Sequence, residues 1–213
     1  MPGYNFYKIN ELLMKNKSLI CLFLSIAAFS SCEQKTTITE EDILNEYVGE
    51  FEIVLMDWTT NNEDCLAFDL NNDGQYTNDV ISEIRNLPGM IHEPLSRFVI
   101  TRKGKGRFLF KLPVVDYYLD SGDHTTLLPT TYVNQVEVPL DIIIKDDQTL
   151  ESNVFSHFDW ADNDRIGIKS VSDIKITGAR HDRIDIEVGH YLIYDNLTQK
   201  LIDGSVKIWL SRM

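Results

Sequence analysis

Hydrophobic and polar residues alternate along much of the chain, and this pattern gives the first indication of its fold. The longest run, 136–144, has apolar side chains at every second position, with Glu137, Pro139 and Asp141 among the residues between them. A period of two over five or more residues is typical of a β-strand with one buried face. The same pattern recurs in four other segments, at 51–55, 108–114, 184–188 and 206–210.

Sequences that favour turns separate these segments at the spacing of β-hairpins. They lie at 103–106, 145–148, 178–182 and 195–200. The stretch 78–86 instead has apolar residues at helical spacing. Another short helix is expected to begin after Thr39, which forms a capping box with Asp42, and to end at Glu46. The sequence thus predicts a mainly β fold, an antiparallel meander barrel or sandwich of about seven to nine strands with one or two short helices.

The N-terminal region has the sequence pattern of a targeting signal. The apolar run 19–29 is too short for a membrane-spanning helix, which needs roughly 20 apolar residues. Lys15 and Lys17 precede it, and the small residues 30–31 follow it. A basic start, a short apolar core and small residues at the end are typical of a secretory signal peptide. Met14 lies at the usual distance before the basic pair, so we expect translation to start there.

Cys32 comes directly after the small residues 30–31, and the segment resembles the lipoprotein signal of Bacteroidota. The resemblance implies cleavage before Cys32, acylation of its thiol with palmitate-like chains, and a lipid anchor in the outer membrane of the bacterial cell envelope. We therefore expect a signal peptide at 1–31, a lipidated cysteine and tether at 32–38, and a single β-rich domain at 39–213. Cys65 is the other cysteine of the mature chain, and its apolar neighbours predict a buried, inert thiol.

The two ends of the expected domain carry a recognisable set of residues. A short helix leads into Gly49-Glu-Phe51 at the start of the first strand, and Trp58 lies at its far end. The last strand ends near Arg212. This layout resembles the lipocalin, or calycin, plan, in which Gly-x-Trp opens the first strand; here Phe51 takes the place of the Trp. With the signal and tether, the chain is similar to the lipocalin-like lipoproteins of Bacteroidota, which implies a barrel whose cavity holds a small ligand.

Acidic residues outnumber basic ones, with 33 Asp and Glu against 20 Lys and Arg and a net charge of −13. Proteins that bind nucleic acid must neutralise phosphates with clustered Lys and Arg, so this balance argues against a nucleic-acid partner. The hydrophobic share of 43% is normal for a globular protein and well above that of a disordered chain. The mature part is therefore expected to be a folded acidic domain.

The segment 69–79 carries oxygen-bearing side chains at the spacing of a calcium loop. The candidate ligands are Asp69, Asn71, Asp73, Gln75 and Asp79. Position twelve, where an EF-hand has a closing acid, is Val80, and the sequence has no second copy of the loop. The alternative is an Asn- and Asp-rich turn that leads into a helix, because these side chains hydrogen-bond to their own backbone. A bound calcium ion would have a structural role.

Residues that could carry catalysis are few. None of the five histidines has a partner at the spacing of a transition-metal site. His190 stands out because the alternation over 184–194 places it on the apolar face of its strand, in the core or on the wall of a cavity. The sequence has no Gly-x-Ser-x-Gly elbow, phosphate loop or dinucleotide fingerprint. We therefore assign no catalytic residue, and the sequence favours binding over catalysis.

Aromatic residues in polar segments are further candidates for ligand binding. Trp160 lies among Asp and Asn residues in 158–164, where its ring could stack on a sugar while the polar groups bind the hydroxyls. Tyr117 could extend such a surface. The alternative is that Trp160 folds back over the end of the barrel. Trp209 alternates with apolar residues and is expected on the outer face of the last strand.

Three functions are consistent with these features. The first is a lipid-anchored, non-catalytic binder of a small ligand, with His190 on the wall of its cavity. The second is a surface module that recognises a glycan or an envelope protein through Trp160, with a filled core and a calcium-stabilised loop. The third is an envelope hydrolase, which requires two carboxylates, or a histidine and a carboxylate, that converge in a cleft.

Overall fold

The computed structural model describes residues 38–60, 63, 65–90, 94–119, 127–156, 171–195, 198 and 200–213, with the backbone alone at 116–119 and 127–131. The described residues form eight strands and two short helices within one compact unit that runs from Thr39 to Met213. The prediction of a mainly β fold with one or two short helices is confirmed.

The strands are β1 (Gly49–Thr59), β2 (Leu95–Ile100), β3 (Gly106–Leu119), β4 (Leu127–Ile144), β5 (Leu150–Ser152), β6 (Val171–Arg180), β7 (Arg183–Asp195) and β8 (Lys200–Arg212). The helices are α1 (Glu40–Asn45), which precedes β1, and α2 (Val80–Ile84), which lies between β1 and β2. Neither helix is long and apolar enough to cross a membrane, and no other helix in the described part of the chain is.

The strands form one antiparallel sheet in the order β5-β4-β3-β2-β1-β8-β7-β6. Its two edges, β5 and β6, approach each other just beyond the end of β5, where Phe155 and Ile174 exchange backbone hydrogen bonds of 2.8 and 3.0 Å. The Ser152 hydroxyl oxygen also accepts a hydrogen bond of 2.8 Å from the Ile176 amide. Of the two alternatives that the sequence left open, the structure is therefore a nearly closed meander barrel and not a sandwich.

Apolar side chains of the described residues point into the interior of this barrel. The inward residues of neighbouring strands are buried and belong to a single hydrophobic cluster. Aromatic rings make up much of it: the Phe51 ring meets the Phe108 ring edge-on at 5.8 Å, and the Phe110 ring stacks on Phe108 at 6.3 Å. Burial of each such side chain stabilises the fold by about 1.5–3 kcal/mol. Most of the residues that alternate in the sequence build this core. Leu55 is an exception, because an irregularity between Ile53 and Leu55 makes Met56 the buried residue in its place.

The two helices lie near opposite ends of β1. Thr39 and Asp42 form the predicted capping box of α1, and its Leu44 is buried beside Gly106 at the start of β3. At the other end, the loop before α2 is held by a hydrogen bond of 2.8 Å from the Trp58 amide to the Asn78 carbonyl. The apolar face of α2 is buried there as well. The core is thus covered near both ends of β1.

Candidate functional site

An irregularity in β7 determines which face of the sheet the His190 side chain lies on. Val188 pairs with Val206 and Tyr191 pairs with Gly204, so two residues of β7, Gly189 and His190, lie opposite one residue of β8. Such a β-bulge shifts the alternation by one position. Tyr191 therefore points inward and is buried, while the His190 side chain is 54% exposed. The expectation that His190 faces the core or a cavity is wrong for this reason.

The outward His190 ring lies between two carboxylates from the neighbouring strands. Its Nδ1 is 2.7 Å from Oδ2 of Asp203 on β8, and its Nε2 is 3.5 Å from Oδ2 of Asp173 on β6. The hydrogen bond to Asp203 raises the pKa of His190 above its usual value, the charges of Asp203 and Asp173 add to this, and partial burial opposes it. The arrangement stabilises the imidazolium form.

The backbone around His190 is unusual on two strands. Asp173 has a φ of 56°, in the left-handed region that non-glycine residues rarely adopt. Gly189 faces it, and a Cβ there would lie 2.9 Å from the Asp173 Cβ, so a side chain would push β6 away. Local strain of this kind is more frequent at functional sites than elsewhere. The local geometry brings Asp173 within reach of the His190 ring.

His190 and Asp203 line a cleft of about 520 Å³, together with Thr59, Thr60, Gly189, Leu201, Ile202, Gly204 and Ser205. We call it the outer-face cleft, because His190, Asp203 and Thr59 are exposed while the interior residues beside them are buried. Gly204, between Asp203 and Ser205, has no room for a side chain, since a Cβ there would lie 2.5 Å from the ring of the buried Trp58. The Thr60 hydroxyl donates a hydrogen bond of 3.0 Å to the Asp203 carbonyl. The cleft thus combines hydroxyl, carboxylate and imidazole groups.

Sequence reasoning missed most of this cleft. Its residues come from separate strands whose register the sequence does not reveal, and Asp173 and Asp203 resemble any other solvated acids. The one available signal was the pair Gly189-His190, which stands between two alternating apolar runs and marks the bulge.

The segment predicted as a calcium loop is held by hydrogen bonds to its own backbone. The Asp69 carboxylate accepts from the amides of Asp73 at 3.2 Å and Gly74 at 2.9 Å. Asn71 accepts from the Asp73 amide at 2.9 Å, and Asp73 from the Gln75 amide at 2.8 Å. These contacts favour the alternative of an Asn- and Asp-rich turn.

The same segment continues into α2 and involves a carboxylate that the sequence prediction left out. Asp79 is the N-cap of α2, and its side chain accepts from the Ile81 amide. Glu83 of α2 is buried and accepts from the amides of Leu70 at 2.9 Å and Asn71 at 3.3 Å. Burial raises the pKa of Glu83, and the charges of Asp69 and Asp73 add to this, against the two backbone hydrogen bonds. Within the described ranges, no group of three or more His, Cys, Asp or Glu side chains is placed to hold a metal ion.

No protein-family model, curated protein or solved structure matches this chain. Its function is therefore inferred from the chemistry of its own residues.

The remaining candidates from the sequence are placed as follows. Cys32 and Trp160 lie outside the described residues. Tyr117 lies on β3, paired with Pro129, and its side chain is not among those described. Trp209 is 40% exposed on the outer face, with the Arg183 guanidinium 4.2 Å from its ring centre, which confirms its predicted direction. Cys65 is buried as predicted, and burial followed by the charge of Asp195 raises the pKa of its thiol.

Proposed function

We propose that this protein is a lipid-anchored lipoprotein of the bacterial cell envelope, similar to the lipocalin-like lipoproteins of Bacteroidota, with a non-catalytic binding domain. The proposal is supported by the signal pattern that ends at Cys32 and by the meander barrel that follows it. Each methylene of an acyl chain adds about 0.8 kcal/mol of membrane affinity, so several chains on Cys32 would hold the domain at the outer membrane.

We further propose that the domain binds its partner, a small ligand, a glycan or another envelope protein, at the outer-face cleft. One observation carries this proposal: His190, Asp203 and the cleft hydroxyls converge on the surface of a barrel whose inward side chains form a packed cluster. Binding sites are concave and contain a few well-placed polar groups, as this cleft does. The cleft lies on the outer face, which favours recognition of the partner at the surface of the barrel.

Affinity purification of the full chain from membranes of its own cell, after cross-linking, tests the binding site. We expect the double variant His190→Ala, Asp203→Ala to retain less than about a tenth of the partner that the wild type retains. A matched control is Lys175→Ala with Glu187→Ala, which removes an ion pair of 3.2 Å from β6 and β7 outside the cleft. We call the double variant the cleft variant. If it retains as much partner as the wild type does, the binding site lies elsewhere.

An envelope hydrolase is the second candidate, because the 2.7 Å contact between His190 and Asp203 is the arrangement that orients an imidazole for proton transfer. Binding stands first because both ring nitrogens face carboxylates, which favours the imidazolium, and an imidazolium is not a base. Hydrolysis of an activated ester or glycoside that is lost in His190→Gln would support the enzyme. Activity that the variant retains would assign it to another site or a contaminant.

A further inference from the structure

We propose that the outer-face cleft binds a cationic group, an ammonium or guanidinium carried by the ligand, and that this cation and the proton on His190 compete for the carboxylates of Asp203 and Asp173. The inference rests on the proposed binding function, since it names the ligand class of the same cleft.

The first argument is the balance of charge around His190. Asp203 and Asp173 approach the imidazole from opposite sides, on β8 and β6, and the described ion pairs of both carboxylates are with this ring. Other charged residues near this end of the outer face are Lys175, which pairs with Glu187, and Lys207, which lies opposite Glu187 and Asp57 in the register. Once His190 loses its proton, two carboxylates remain beside the cleft, and a cation from the ligand can replace the lost charge.

The second argument is the set of oxygen atoms that surrounds this position. An ammonium group has three N–H donors and a guanidinium has five, and neither has an acceptor. The cleft supplies acceptors in the Asp203 carboxylate and in the hydroxyls of Thr59 and Ser205. Its volume of about 520 Å³ lies within the range of small-ligand sites. The net charge of −13 also raises the local concentration of cations at the protein surface.

Competition between the proton and the ligand fixes the direction of the pH dependence. His190 has a raised pKa because of its contact with Asp203, so it remains protonated to a higher pH than a free histidine. Two ligands that exclude each other weaken each other's binding by the same factor. Affinity for the cation should therefore fall as the pH drops below the pKa of His190, approaching tenfold per pH unit, and should be constant above it.

The test uses the full wild-type chain in an uncharged detergent, with agmatine as the probe because it carries both an ammonium and a guanidinium. NMR would follow the His190 ring protons during a pH titration. We expect agmatine to shift the His190 titration to lower pH and its neutral counterpart 1,4-butanediol to leave it unchanged. A His190 titration that is the same with and without agmatine would overturn the proposal.

Variants separate the two parts of the inference. In calorimetry at pH 8, Asp203→Asn should weaken agmatine binding at least tenfold, whereas Glu187→Gln, outside the cleft, should not. His190→Gln should still bind agmatine, with an affinity that no longer changes between pH 5.5 and pH 8. A pH dependence that persists in His190→Gln would exclude His190 as the competitor.

The outcome also separates this inference from the proposed function. If the cleft variant loses its envelope partner while agmatine leaves the His190 titration unchanged, the cleft binds a ligand that is not cationic, and the inference fails alone. If agmatine binds but the cleft variant retains the partner, the proposed role of the cleft in partner binding fails while the cation site stands.

Discussion

The guanidinium of Arg212 connects parts of the chain that are far apart in sequence. Its Nη1 donates to the Glu46 carbonyl at 2.9 Å and to the His181 carbonyl at 3.3 Å, and its Nη2 donates to the Val48 carbonyl. Glu46 is the C-cap of α1, where carbonyl groups lack partners within the helix. Arg212 thereby fixes α1 and the turn before β7 to the end of β8.

Replacing Arg212 tests this connection. Arg212→Ala removes the donor from these carbonyls and should lower the free energy of unfolding by about 1–3 kcal/mol. Arg212→Lys should recover only part of the lost free energy of unfolding, because a single ammonium cannot reproduce the planar fork of donors. Urea unfolding measures both. An alanine variant as stable as the wild type would show that the contacts contribute nothing.

Substitutions of Glu83 test whether the segment 69–79 is a plain turn or a calcium loop. Glu83→Ala leaves the Leu70 and Asn71 amides without their acceptor and should cost about 1–3 kcal/mol. Glu83→Gln keeps an acceptor. Because the pKa of Glu83 is raised in the folded state, its ionised form costs stability above that pKa, and the neutral amide removes that cost. The Glu83→Gln variant should therefore be at least as stable as the wild type at pH 7.

A thermal melt of the wild type, the two Glu83 variants and Asp69→Ala, each with and without calcium, tests these expectations. We expect no calcium-dependent change in Tm, and Asp69→Ala should lower Tm equally in both conditions, because the Asp69 carboxylate holds the loop amides. Two results together would support the calcium alternative instead. The first is a gain in Tm with calcium that disappears in Asp69→Ala, and the second is a Glu83→Gln variant whose Tm is as low as that of Glu83→Ala.

At the scale of the elements, alternation predicted the strands but not their register. The apolar positions of 184–188 and 206–210 are inward in β7 and β8, because burial on one face of a sheet imposes a period of two. The bulge at His190 reverses this period by inserting one residue. A bulge depends on the pairing with the neighbouring strand, so the sequence of β7 marks it only by the Gly189-His190 pair and does not give the register that results. The contacts of the outer-face cleft depend on the same pairing.

The seam where the sheet edges β5 and β6 meet closes the barrel, and the Ser152 hydroxyl accepts one of its hydrogen bonds. Ser152→Ala leaves the buried Ile176 amide without an acceptor, which should cost about 1–3 kcal/mol and speed its hydrogen exchange. The Ile186 amide, in the well-paired β7, is the internal reference. Ser152→Thr, which retains a hydroxyl, should restore much of the protection. Unchanged exchange at Ile176 would show that the seam does not depend on this hydrogen bond.

At the scale of the whole molecule, the proposed lipid anchor on Cys32 is open to a direct test. Cys32→Ala removes the thiol that would be acylated and should move the protein from the membrane pellet to the soluble fraction. Cys65→Ala is the matched control, because Cys65 is buried in the domain and should leave the protein in the pellet. Membrane fractionation followed by immunoblotting measures both. A Cys32→Ala variant that remains in the pellet would contradict the lipid anchor.

The central claim is that the barrel binds its partner on its outer face and not inside. The most direct test is an amide chemical-shift map of the full, isotope-labelled chain, titrated with an extract of its own cell envelope. We expect the largest shifts at Thr59, His190, Asp203 and Ser205. Shifts concentrated at Phe110 and Leu112 in the core, with the cleft amides unchanged, would contradict surface binding and indicate an interior ligand.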